Sequence, residues 1–387
     1  MRLMVAVERI SPTGGRELST LQLSRELARR GHDVDLFFEH DGALHDEYRL
    51  FCRSMTHANM VFWRDRRLYH LARMAPSVLR GVARRPDVVY VQRFGDIAFG
   101  TLVGRIVGAP LVCHLRGFRK YSSVAELGRL TDRFISVSEA TRTLWAEAGL
   151  DASRIDVVYN GIVAEDYPVG GTEELARARA ELGIDSGAFV ALFCGRLDAE
   201  KGVEVLLDAW GRLGLTPAEG RLVILGLPVV HPDPRAYLRH LRELAPPGCL
   251  WLPMRRDVVD VMHAADVLVL PSYAEGFGRA LIEAMATGRP AVGSRVEGIP
   301  EILAGDFARF LFDPGDAAGL SDLLAGLVGW RAREPGLAAQ CTQYVRERFN
   351  LGRTADGVEG VLTEVLSGSG RRRRRRSGPG GDARRSG

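Results

Sequence analysis

Short runs of β-branched and other apolar residues alternate with helix-length segments along almost the whole chain. The first six runs are Arg2–Val7, Asp33–Phe38, Asp87–Gln92, Pro110–Leu115, Arg133–Ser138 and Ile155–Asn160. Strands that read as continuous apolar runs are typical of parallel sheets, because helices cover both faces of such sheets. The alternation therefore predicts an α/β chain with doubly wound parallel sheets.

A second series of the same kind follows a polar break after Asn160-Gly161. Its predicted strands are Phe189–Cys194, Arg221–Gly226, Cys249–Leu252, Asp266–Pro271, Pro290–Gly293 and Phe307–Phe312. The pattern thus predicts two consecutive doubly wound domains, closed by helical segments near residues 335–349 and 354–366. The division that we expect is residues 1–165, residues 166–345, a C-terminal helix at residues 346–366 and a disordered arginine-rich tail at residues 367–387.

The positive charge of the chain is concentrated in this tail. The formal net charge is +4, but residues 367–387 contain eight arginines and one aspartate, so residues 1–366 carry −3. A nucleic-acid-binding domain carries its basic residues on a folded face, and we therefore expect no nucleic-acid partner. The run Arg371–Arg376 predicts either peripheral association with an anionic membrane or a solvated terminus.

Membrane spans, secretion signals and paired metal-binding cysteines do not occur in the sequence. No stretch approaches the roughly 20 apolar residues that cross a bilayer, and the first residues lack the apolar core of a signal peptide. We expect a cytoplasmic protein, with a peripheral position at the inner face of the membrane as the alternative. The five cysteines are far apart and form no CxxC pair, which predicts buried, reduced thiols and no zinc site.

The loop after the first strand is a candidate phosphate site, because doubly wound sheets bind ligands at the carboxyl ends of their strands. Gly14-Gly15 opens a predicted helix there, and the free N–H groups of a first helical turn favour an anion. A structural turn would use the same glycines. The loop is not GxGxxG, and no acid follows the second strand in a clear ribose-binding position, so a nicotinamide cofactor is weakly supported.

Two cations follow the first strand of the second series. Arg196 and Lys201 flank the turn in CGRLDAEKG. A planar guanidinium and a compact ammonium together suit a diphosphate. The alternative is an exposed loop in which these cations pair with Asp198 and Glu200.

The segment LPSYAEGFGRALIEAMATG carries the most specific pattern in the chain. Glu275 precedes Gly276-Phe277-Gly278, and a helix begins directly afterwards. The glycines allow backbone amides to converge on an anion at the helix N-terminus. Glu283 lies about one turn inside the helix. Two carboxylates beside a phosphate would repel it unless they bind something else, and sugar and ribose hydroxyls are suitable partners.

These residues resemble the E-x7-E motif of retaining GT-B glycosyltransferases of family 4 type (glycosyl transferases group 1). Further similar segments follow in the same order: TGGRELSTLQLSRELARRGHDV, VCHLRG, ISVSEATRTLWAEAGL, IDVVYNGIV, FCGRLDAEKGVEVLLDAW, MRRDVVDVMHAADVLVLPS and GRPAVGSRVEGIPEIL. The resemblance covers residues 1 to about 366. It implies two facing Rossmann-like domains and a C-terminal helix that crosses back to the first domain.

The resemblance also implies roles for the residues of the E-x7-E segment. Glu283 would bind the ribose hydroxyls of a nucleotide, and Glu275 would lie against the transferred sugar near its anomeric face. The loop Gly276-Phe277-Gly278 would hold the sugar and the distal phosphate through its amides, those of Phe277 and Gly278 above all.

Residues outside that segment complete the implied site. Arg196 and Lys201 would neutralise the diphosphate, and Gly15 would approach the phosphate from the first domain. His114 would contact the sugar and assist at the reacting centre, although a lone histidine after a strand is more often a packed residue. The loop Met254–Asp257 would frame the base.

The predicted activity is therefore transfer of a sugar, with retention, from a nucleoside diphosphate sugar to an unidentified acceptor. The acceptor would be a cell-envelope lipid or glycan, or a small molecule, bound by the loops Asp41–Arg67 and Arg116–Ala125. No DxD-like pair stands in a suitable loop, so we expect neither a metal nor another cofactor. The alternatives are a sugar-nucleotide epimerase on the same scaffold and a non-catalytic nucleotide-sugar-binding protein.

Residues 62–69 combine arginines with aromatic side chains. They predict either a membrane-docking segment or an amphipathic helix packed on its own domain.

Overall fold

Two parallel β-sheets organise the chain in the computed structural model, which describes residues 1–12, 14–60, 67–121, 123–228, 233–255 and 257–376. The strands of the first sheet are β1 (Arg2–Arg9), β2 (Asp33–His40), β3 (Ser54–His57), β4 (Val88–Val91), β5 (Leu111–Leu115), β6 (Arg133–Ser136) and β7 (Ile155–Val157). Within the described residues their order is β3-β2-β1-β4-β5-β6-β7, and the strand pairs are parallel. We call this sheet and its helices the first lobe.

The second sheet forms the second lobe. Its strands are β8 (Phe189–Cys194), β9 (Gly220–Leu225), β10 (Cys249–Leu252), β11 (Val267–Leu270), β12 (Ala291–Ser294) and β13 (Leu311–Phe312). Their order is β10-β9-β8-β11-β12-β13, and the pairs are again parallel. The predicted fold class, two doubly wound Rossmann-like domains, is confirmed.

Helices connect the strands. They are α1 (Gly15–Arg29), α2 (His45–Arg49), α3 (Arg67–Arg84), α4 (Ile97–Val107), α5 (Val124–Gly128), α6 (Glu139–Glu147), α7 (Thr172–Glu181), α8 (Val203–Leu213), α9 (Pro234–Leu244), α10 (Val258–Ala264), α11 (Arg279–Ala286), α12 (Ile299–Ile302), α13 (Ala317–Leu327), α14 (Trp330–Arg333), α15 (Leu337–Arg348) and α16 (Leu351–Arg376). Among the described residues, none of these helices combines the length and the apolar character that crossing a membrane requires.

The strands of the first lobe are buried on both faces. Along β1, Leu3 and Val5 belong to a core shared with α1 and α16, whereas Met4 and Ala6 belong to a core shared with α3 and α4. Successive side chains of a strand point to opposite faces. A run of consecutive apolar residues therefore serves two cores at once, which explains why the strands read as continuous apolar runs.

Helix α16 links the two lobes. The chain leaves the second lobe through a bridge in which Ile162 N donates to the Phe349 carbonyl oxygen at 2.9 Å and Leu351 N donates to the Ile162 carbonyl oxygen at 2.8 Å. The helix then buries Val358 and Leu362 in the first-lobe core beside α1. The last helix thus crosses back onto the first lobe, while the exact domain limits at residues 165 and 345 stay predictions.

Strand β3 was not predicted. Its sequence SMTH has no apolar run, and among the described strands β3 pairs only with β2, at the edge of the sheet. A short polar edge strand needs little apolar surface and resists pairing with other chains. Such a strand leaves no signal in a search for apolar runs.

The predicted strand Phe307–Phe312 is largely wrong. Residues Gly305–Phe310 form a 3-10 helix, and only Leu311–Phe312 is a strand. In a 3-10 helix residues three apart lie on the same side. Phe307 and Phe310 have this spacing and are both buried, so the tighter helix serves the core better than alternation would.

Helix α16 continues to Arg376, ten residues beyond Leu366, where the sequence predicted the helix to end and disorder to begin. Starting a helix fixes several residues for one hydrogen bond, whereas extending an existing helix fixes only one residue for each hydrogen bond. Arginine is also a good helix former, so the packed part of α16 can continue into the arginine run. Residues 377–387 lie outside the described residues, as do residues 61–66 of the basic and aromatic stretch. Membrane association through Arg371–Arg376 stays a prediction.

The cysteines are free thiols, as predicted. Cys113 and Cys341 are buried, and Cys52, Cys194 and Cys249 are half-buried. Burial raises the pKa of Cys52, Cys194, Cys249 and Cys341 to about 12. These thiols are therefore protonated and poorly reactive near neutral pH.

Replacement of Leu362 by alanine should destabilise the first lobe. Leu362 is fully buried, and deleting a buried leucine side chain costs about 2–5 kcal/mol because it leaves a cavity. Its neighbour Thr363 is exposed on the same helix, so Thr363→Ala is the matched control and should change stability by less than about 0.5 kcal/mol. Urea denaturation followed by circular dichroism measures both variants, and equal midpoints would contradict the crossover packing.

Candidate active site

The two lobes face each other across the carboxyl ends of their strands. Gly15 begins α1 after β1, and His114 is the penultimate residue of β5. On the second lobe, Arg196 and Lys201 follow β8, and Glu275 follows β11. Each of these positions lies at the edge where doubly wound sheets bind ligands.

The backbone at Gly276 joins the two lobes. Its carbonyl oxygen accepts hydrogen bonds from Ser138 Oγ at 2.7 Å and Thr141 Oγ1 at 3.2 Å, both at the start of α6 in the first lobe. A Cβ at Gly276 would lie only 3.0 Å from Gly117 Cα and 3.1 Å from the Arg116 carbonyl oxygen. Only glycine allows this approach without a shift of the first-lobe backbone.

A second interlobe contact lies nearby, at the start of helix α6. The Glu301 carboxylate on α12 of the second lobe accepts hydrogen bonds from Glu139 N and Ala140 N, each at 2.8 Å. Free N–H groups and the positive end of the helix dipole favour a carboxylate at this place. The interaction holds α6 against the second lobe.

The loop around Glu275 is also fixed from within its own lobe. Glu275 N donates to Glu297 Oε2 at 2.7 Å, and Gly298 N donates to the Glu275 carbonyl oxygen at 3.1 Å. A Cβ at Gly298 would lie 2.4 Å from the Gly276 carbonyl oxygen. Glu297 has φ of 41°, a conformation that costs about 1–3 kcal/mol in a residue other than glycine. Strain of this kind clusters at functional sites.

Lys201 and Glu275 form an ion pair at the centre of the second-lobe site. Lys201 Nζ lies 2.8 Å from Glu275 Oε2 and donates to the Ala274 carbonyl oxygen at 3.2 Å. Gly202 has φ of 63°, and a Cβ there would lie 2.1 Å from the Pro271 carbonyl oxygen. The turn therefore packs directly on the end of β11, which brings the ammonium to the carboxylate.

Arg196 lies on the same loop but has a different partner. Arg196 Nη2 is 3.3 Å from Asp198 Oδ2, and the Arg196 side chain is 36% exposed. This is the pairing that the sequence offered as the alternative to diphosphate binding. In the loop Met254–Asp257, Arg255 likewise pairs with an acid of its own loop, Asp257. Arg256 lies outside the described residues.

Glu283 is buried and doubly hydrogen-bonded. Its Oε1 accepts from Arg279 Nε at 2.5 Å and from the Tyr167 hydroxyl at 2.8 Å. Burial lowers the pKa of Arg279, but Glu283 and Tyr167 outweigh that effect and the net pKa is raised. Burial and the Glu283 charge raise the pKa of Tyr167. Glu283 and Arg279 therefore form an ion pair inside the interlobe region.

Gly15 and Glu283 both lie against the side chain of Arg279. A Cβ at Gly15 would lie 3.2 Å from Arg279 Cδ. The structure thus connects the predicted phosphate-binding turn of the first lobe to the predicted ribose-binding carboxylate of the second lobe through Arg279.

His114 is fully buried in the first lobe. Its Nδ1 lies 2.5 Å from the Tyr90 hydroxyl, and its Nε2 has no hydrogen-bond partner within the described residues. Burial, together with the positive charge of Arg116, lowers the pKa of His114 well below its usual value. The ring is neutral near pH 7, with one nitrogen left for another partner.

Arg116, a half-buried residue two positions after His114, carries a second buried polar atom. Its Nε donates to Gln92 Oε1 at 3.0 Å and its Nη1 donates to Asn160 Oδ1 at 3.0 Å, whereas Nη2 has no partner within the described part of the chain. Burial lowers the pKa of Arg116 to about 10. Buried polar atoms are almost always hydrogen-bonded, so Arg116 Nη2 and His114 Nε2 together mark an incomplete polar site.

A small charge-paired cavity opens on the first-lobe side of the cleft. Glu8 is its centre, with Arg16 Nη2 at 3.2 Å and with Arg93 Nη1 and Arg9 Nη2 each at 3.3 Å. Burial raises the pKa of Glu8, but these arginines outweigh it and the net pKa lies below the usual value. The three arginines thus already share the Glu8 carboxylate as a partner.

Sequence reasoning missed several residues of this site. Arg116 and Arg279 stand directly beside recognised motifs, and a charged residue inside CHLRG or GFGRA was a usable signal. Tyr167, Glu297 and Ser138 gave no such signal, because each reaches the site from a separate loop or helix start. Their roles depend on the packing of the lobes.

Solved structures define the class of this fold. HepE of Anabaena, solved in complex with UDP and glucose, superposes with a TM-score of 0.80 at 22% identity, covering 94% of this chain and 99% of HepE. Identity at this level shows the fold alone. The two facing Rossmann-like lobes with a returning C-terminal helix are a GT-B arrangement.

Family comparisons identify the enzyme class. The model for Glycosyltransferase Family 4 matches residues 13–166, and the model for Glycosyl transferases group 1 matches residues 188–329, together about three quarters of the chain. The chain belongs to the glycosyltransferases of family 4 type. The resemblance in the sequence, the GT-B fold and the enzyme class are confirmed.

Two curated relatives extend over most of the chain. The D-inositol 3-phosphate glycosyltransferase of Acidothermus cellulolyticus is 28% identical over 395 residues, covering 92% of this chain and 86% of the relative. The enzyme of the same name from Rhodococcus jostii is 28% identical over 380 residues, covering 89% and 83%. The similarity therefore extends through both lobes.

The His114 ring should stay neutral through the pH range in which an exposed histidine becomes protonated. Its pKa is lowered by burial and by Arg116, so the folded protein resists protonation of this ring as the pH falls. NMR of the histidine ring signals, with His114 assigned by its loss in His114→Asn, measures this directly. The unfolded protein in urea is the control and should titrate near pH 6.5. A midpoint near 6.5 for His114 in the folded protein would contradict the buried position.

Proposed function

We propose that this chain transfers a sugar from a nucleoside diphosphate sugar to a hydroxyl-bearing acceptor, with retention of anomeric configuration and without a metal ion. The observation that carries the proposal is the Lys201–Glu275 ion pair, at 2.8 Å, beside the Gly276–Gly278 turn at the N-terminus of α11. An ammonium and free helix amides favour a diphosphate. A carboxylate next to them suits the positive charge that develops on a sugar when its anomeric bond breaks.

The donor side of the proposal assigns a role to each predicted residue. Glu283 binds the ribose, Glu275 faces the transferred sugar, and the amides of Gly276, Phe277 and Gly278 hold the sugar and distal phosphate. The geometry supports this for Lys201 and Glu275, which touch, and for Glu283, which lies at the lobe interface.

The remaining donor contacts come from both lobes. Gly15 approaches the phosphate, and Lys201 neutralises the diphosphate. Arg196 joins Lys201 if the diphosphate displaces Asp198 from it. His114 donates or accepts one hydrogen bond at the sugar through Nε2, the atom that lacks a partner within the described residues.

In the reaction the bond between the anomeric carbon and the diphosphate oxygen breaks, and a bond to the acceptor oxygen forms on the same face. The nucleoside diphosphate leaves with the bonding electrons, and its departing oxygen takes the proton that the acceptor hydroxyl loses, so the products are the glycosylated acceptor and the free nucleoside diphosphate. Preorganised cations and amides stabilise the charge on the leaving group, which is usually the largest catalytic contribution.

We infer that a UDP-sugar is the first donor to test, because the structurally similar HepE was solved with UDP and glucose. For the acceptor, the names of the relatives suggest D-inositol 3-phosphate. An uncharged polyol is the second acceptor to test, since a phosphate placed near Glu8 would have to compete with that carboxylate for Arg16 and Arg93. Both compounds therefore belong in the acceptor panel.

A nucleotide-sugar panel tests the proposal. Thermal shift with UDP-, GDP- and ADP-sugars should show one preferred donor, and mass spectrometry should then show transfer to an added polyol or glycan. The reaction is run in EDTA, where transfer should persist, and NMR of the product should show the anomeric configuration of the donor. Binding of no nucleotide sugar would refute the donor site, and activity that returns only with Mg²⁺ or Mn²⁺ would refute the metal-free mechanism.

Variants at the ion pair should be folded but nearly inactive. Lys201→Met and Glu275→Gln should each lower turnover by about 100-fold to 1000-fold, the range found when one key electrostatic group is removed. Arg212→Met is the control, because Arg212 forms an exposed pair with Asp208 on α8, far along the chain from the glycine turn. Turnover within a factor of about two of wild type in either ion-pair variant would contradict the site.

A further inference from the structure

One buried cation contacts both lobes at the proposed nucleotide site. Arg279 is the first residue of α11 and only 7% exposed. On the first lobe, its Nη1 donates to Ser19 Oγ at 2.9 Å and its Nη2 donates to Gln22 Oε1 at 2.8 Å. On its own lobe, Nε donates to Glu283 Oε1 at 2.5 Å and Nη2 donates to the Tyr167 hydroxyl at 3.3 Å.

The geometry of these contacts is specific. Ser19 and Gln22 are three residues apart on α1, so they lie on the same face of that helix. Arg279 and Glu283 are four residues apart on α11 and are likewise neighbours on one face. A planar guanidinium can bind both faces at once because its five N–H groups form a rigid fork. Four of these five N–H groups donate to the partners named above.

The contacts fix the position of one oxygen of the Glu283 carboxylate. Both hydrogen bonds to Glu283 use Oε1, while Oε2 has no hydrogen bond within the described part of the chain. The carboxylate is therefore held by one oxygen and leaves the other for a ligand. Loss of Ser19 and Gln22 would release the far end of the Arg279 guanidinium and loosen the hold on Glu283.

We propose that Arg279 is a positioning residue for Glu283, which it holds in its ribose-binding orientation by docking on Ser19 and Gln22 of the opposite lobe. The inference rests on the proposed function, since it takes Glu283 as the ribose ligand. It adds that the second-lobe nucleotide site is complete only when the first lobe supplies helix α1. Nucleotide recognition and lobe closure are then one event.

A buried ion pair with a purely structural role makes a different prediction. Such a pair contributes little net stability, but breaking it leaves an unpaired charge that destabilises the fold. Binding of every nucleotide would then weaken to the same degree. A positioning role instead weakens the recognition of ribose hydroxyls specifically, and the ratio of affinities for ribose and deoxyribose ligands separates the two cases.

The test compares UDP, GDP and ADP with their 2′-deoxy counterparts by calorimetry, using whichever base binds best. Wild type should prefer the ribose form by about tenfold or more, the value of a hydrogen bond to a charged group. Glu283→Gln should lose this preference. Arg279→Met and the double variant Ser19→Ala/Gln22→Ala should reduce it to less than about threefold, and Arg279→Lys should restore part of it. Arg212→Met is the control and should keep the wild-type ratio.

If Arg279→Met does not fold, the double variant Ser19→Ala/Gln22→Ala still tests the inference. This double variant removes no charge, and neither Ser19 nor Gln22 has a proposed contact with the nucleotide. The inference would be overturned if the double variant and Arg279→Lys both kept the wild-type ratio of ribose to deoxyribose affinities while Glu283→Gln lost it. The donor site would then still stand. Equal weakening of both ligand forms would also overturn the inference. If wild type bound no nucleotide, or Glu283→Gln kept the preference, the donor assignment itself would fail and the inference with it.

Discussion

The close approach of the two backbones at Gly276 determines how the lobes act together. With a Cβ at that position 3.0 Å from Gly117 Cα, the turn and the first lobe are in contact without intervening side chains. Ser138 and Thr141 then bind the Gly276 carbonyl oxygen directly. On the other side, Gly298 approaches the same carbonyl oxygen so closely that it too has to be glycine. The position of the Gly276–Gly278 turn is consequently set by both lobes.

Charge pairing explains how two carboxylates can stand beside a site for an anion. Glu275 pairs with Lys201, and Glu283 pairs with Arg279. Each pair places one carboxylate beside one cation, so neither acid carries an unpaired negative charge without ligand. In the proposed donor site, a diphosphate would bind the cations while sugar and ribose hydroxyls would bind the acids, and neither carboxylate would have to be protonated. Glu297 supports the arrangement through the backbone N–H of Glu275.

Much of the fold could be predicted from the sequence because the strands are buried on both faces. Strands such as β1 and β8 consist of consecutive apolar residues and are found close to the predicted limits. Edge strand β3 and the 3-10 turn before β13 could not be predicted in this way, since one has no apolar run and the other has apolar residues with a different spacing. The E-x7-E spacing selected Glu275 and Glu283, which form ion pairs with Lys201 and Arg279, and their roles in donor binding stay predictions. The partners of these acids from distant segments, Tyr167, Ser19 and Gln22, depend on tertiary packing that local patterns do not encode.

Helix α16 also constrains the order in which this chain can fold during synthesis. The face of the first sheet that carries Leu3 and Val5 is completed by Val358 and Leu362, residues that leave the ribosome about 350 positions later. Domains made early in translation usually fold as units before later ones emerge. In this chain the first lobe is synthesised first, but one apolar face of its sheet is covered only after helix α16 has been synthesised. Part of the apolar face of the first sheet therefore stays uncovered until the last segment of the chain has been made.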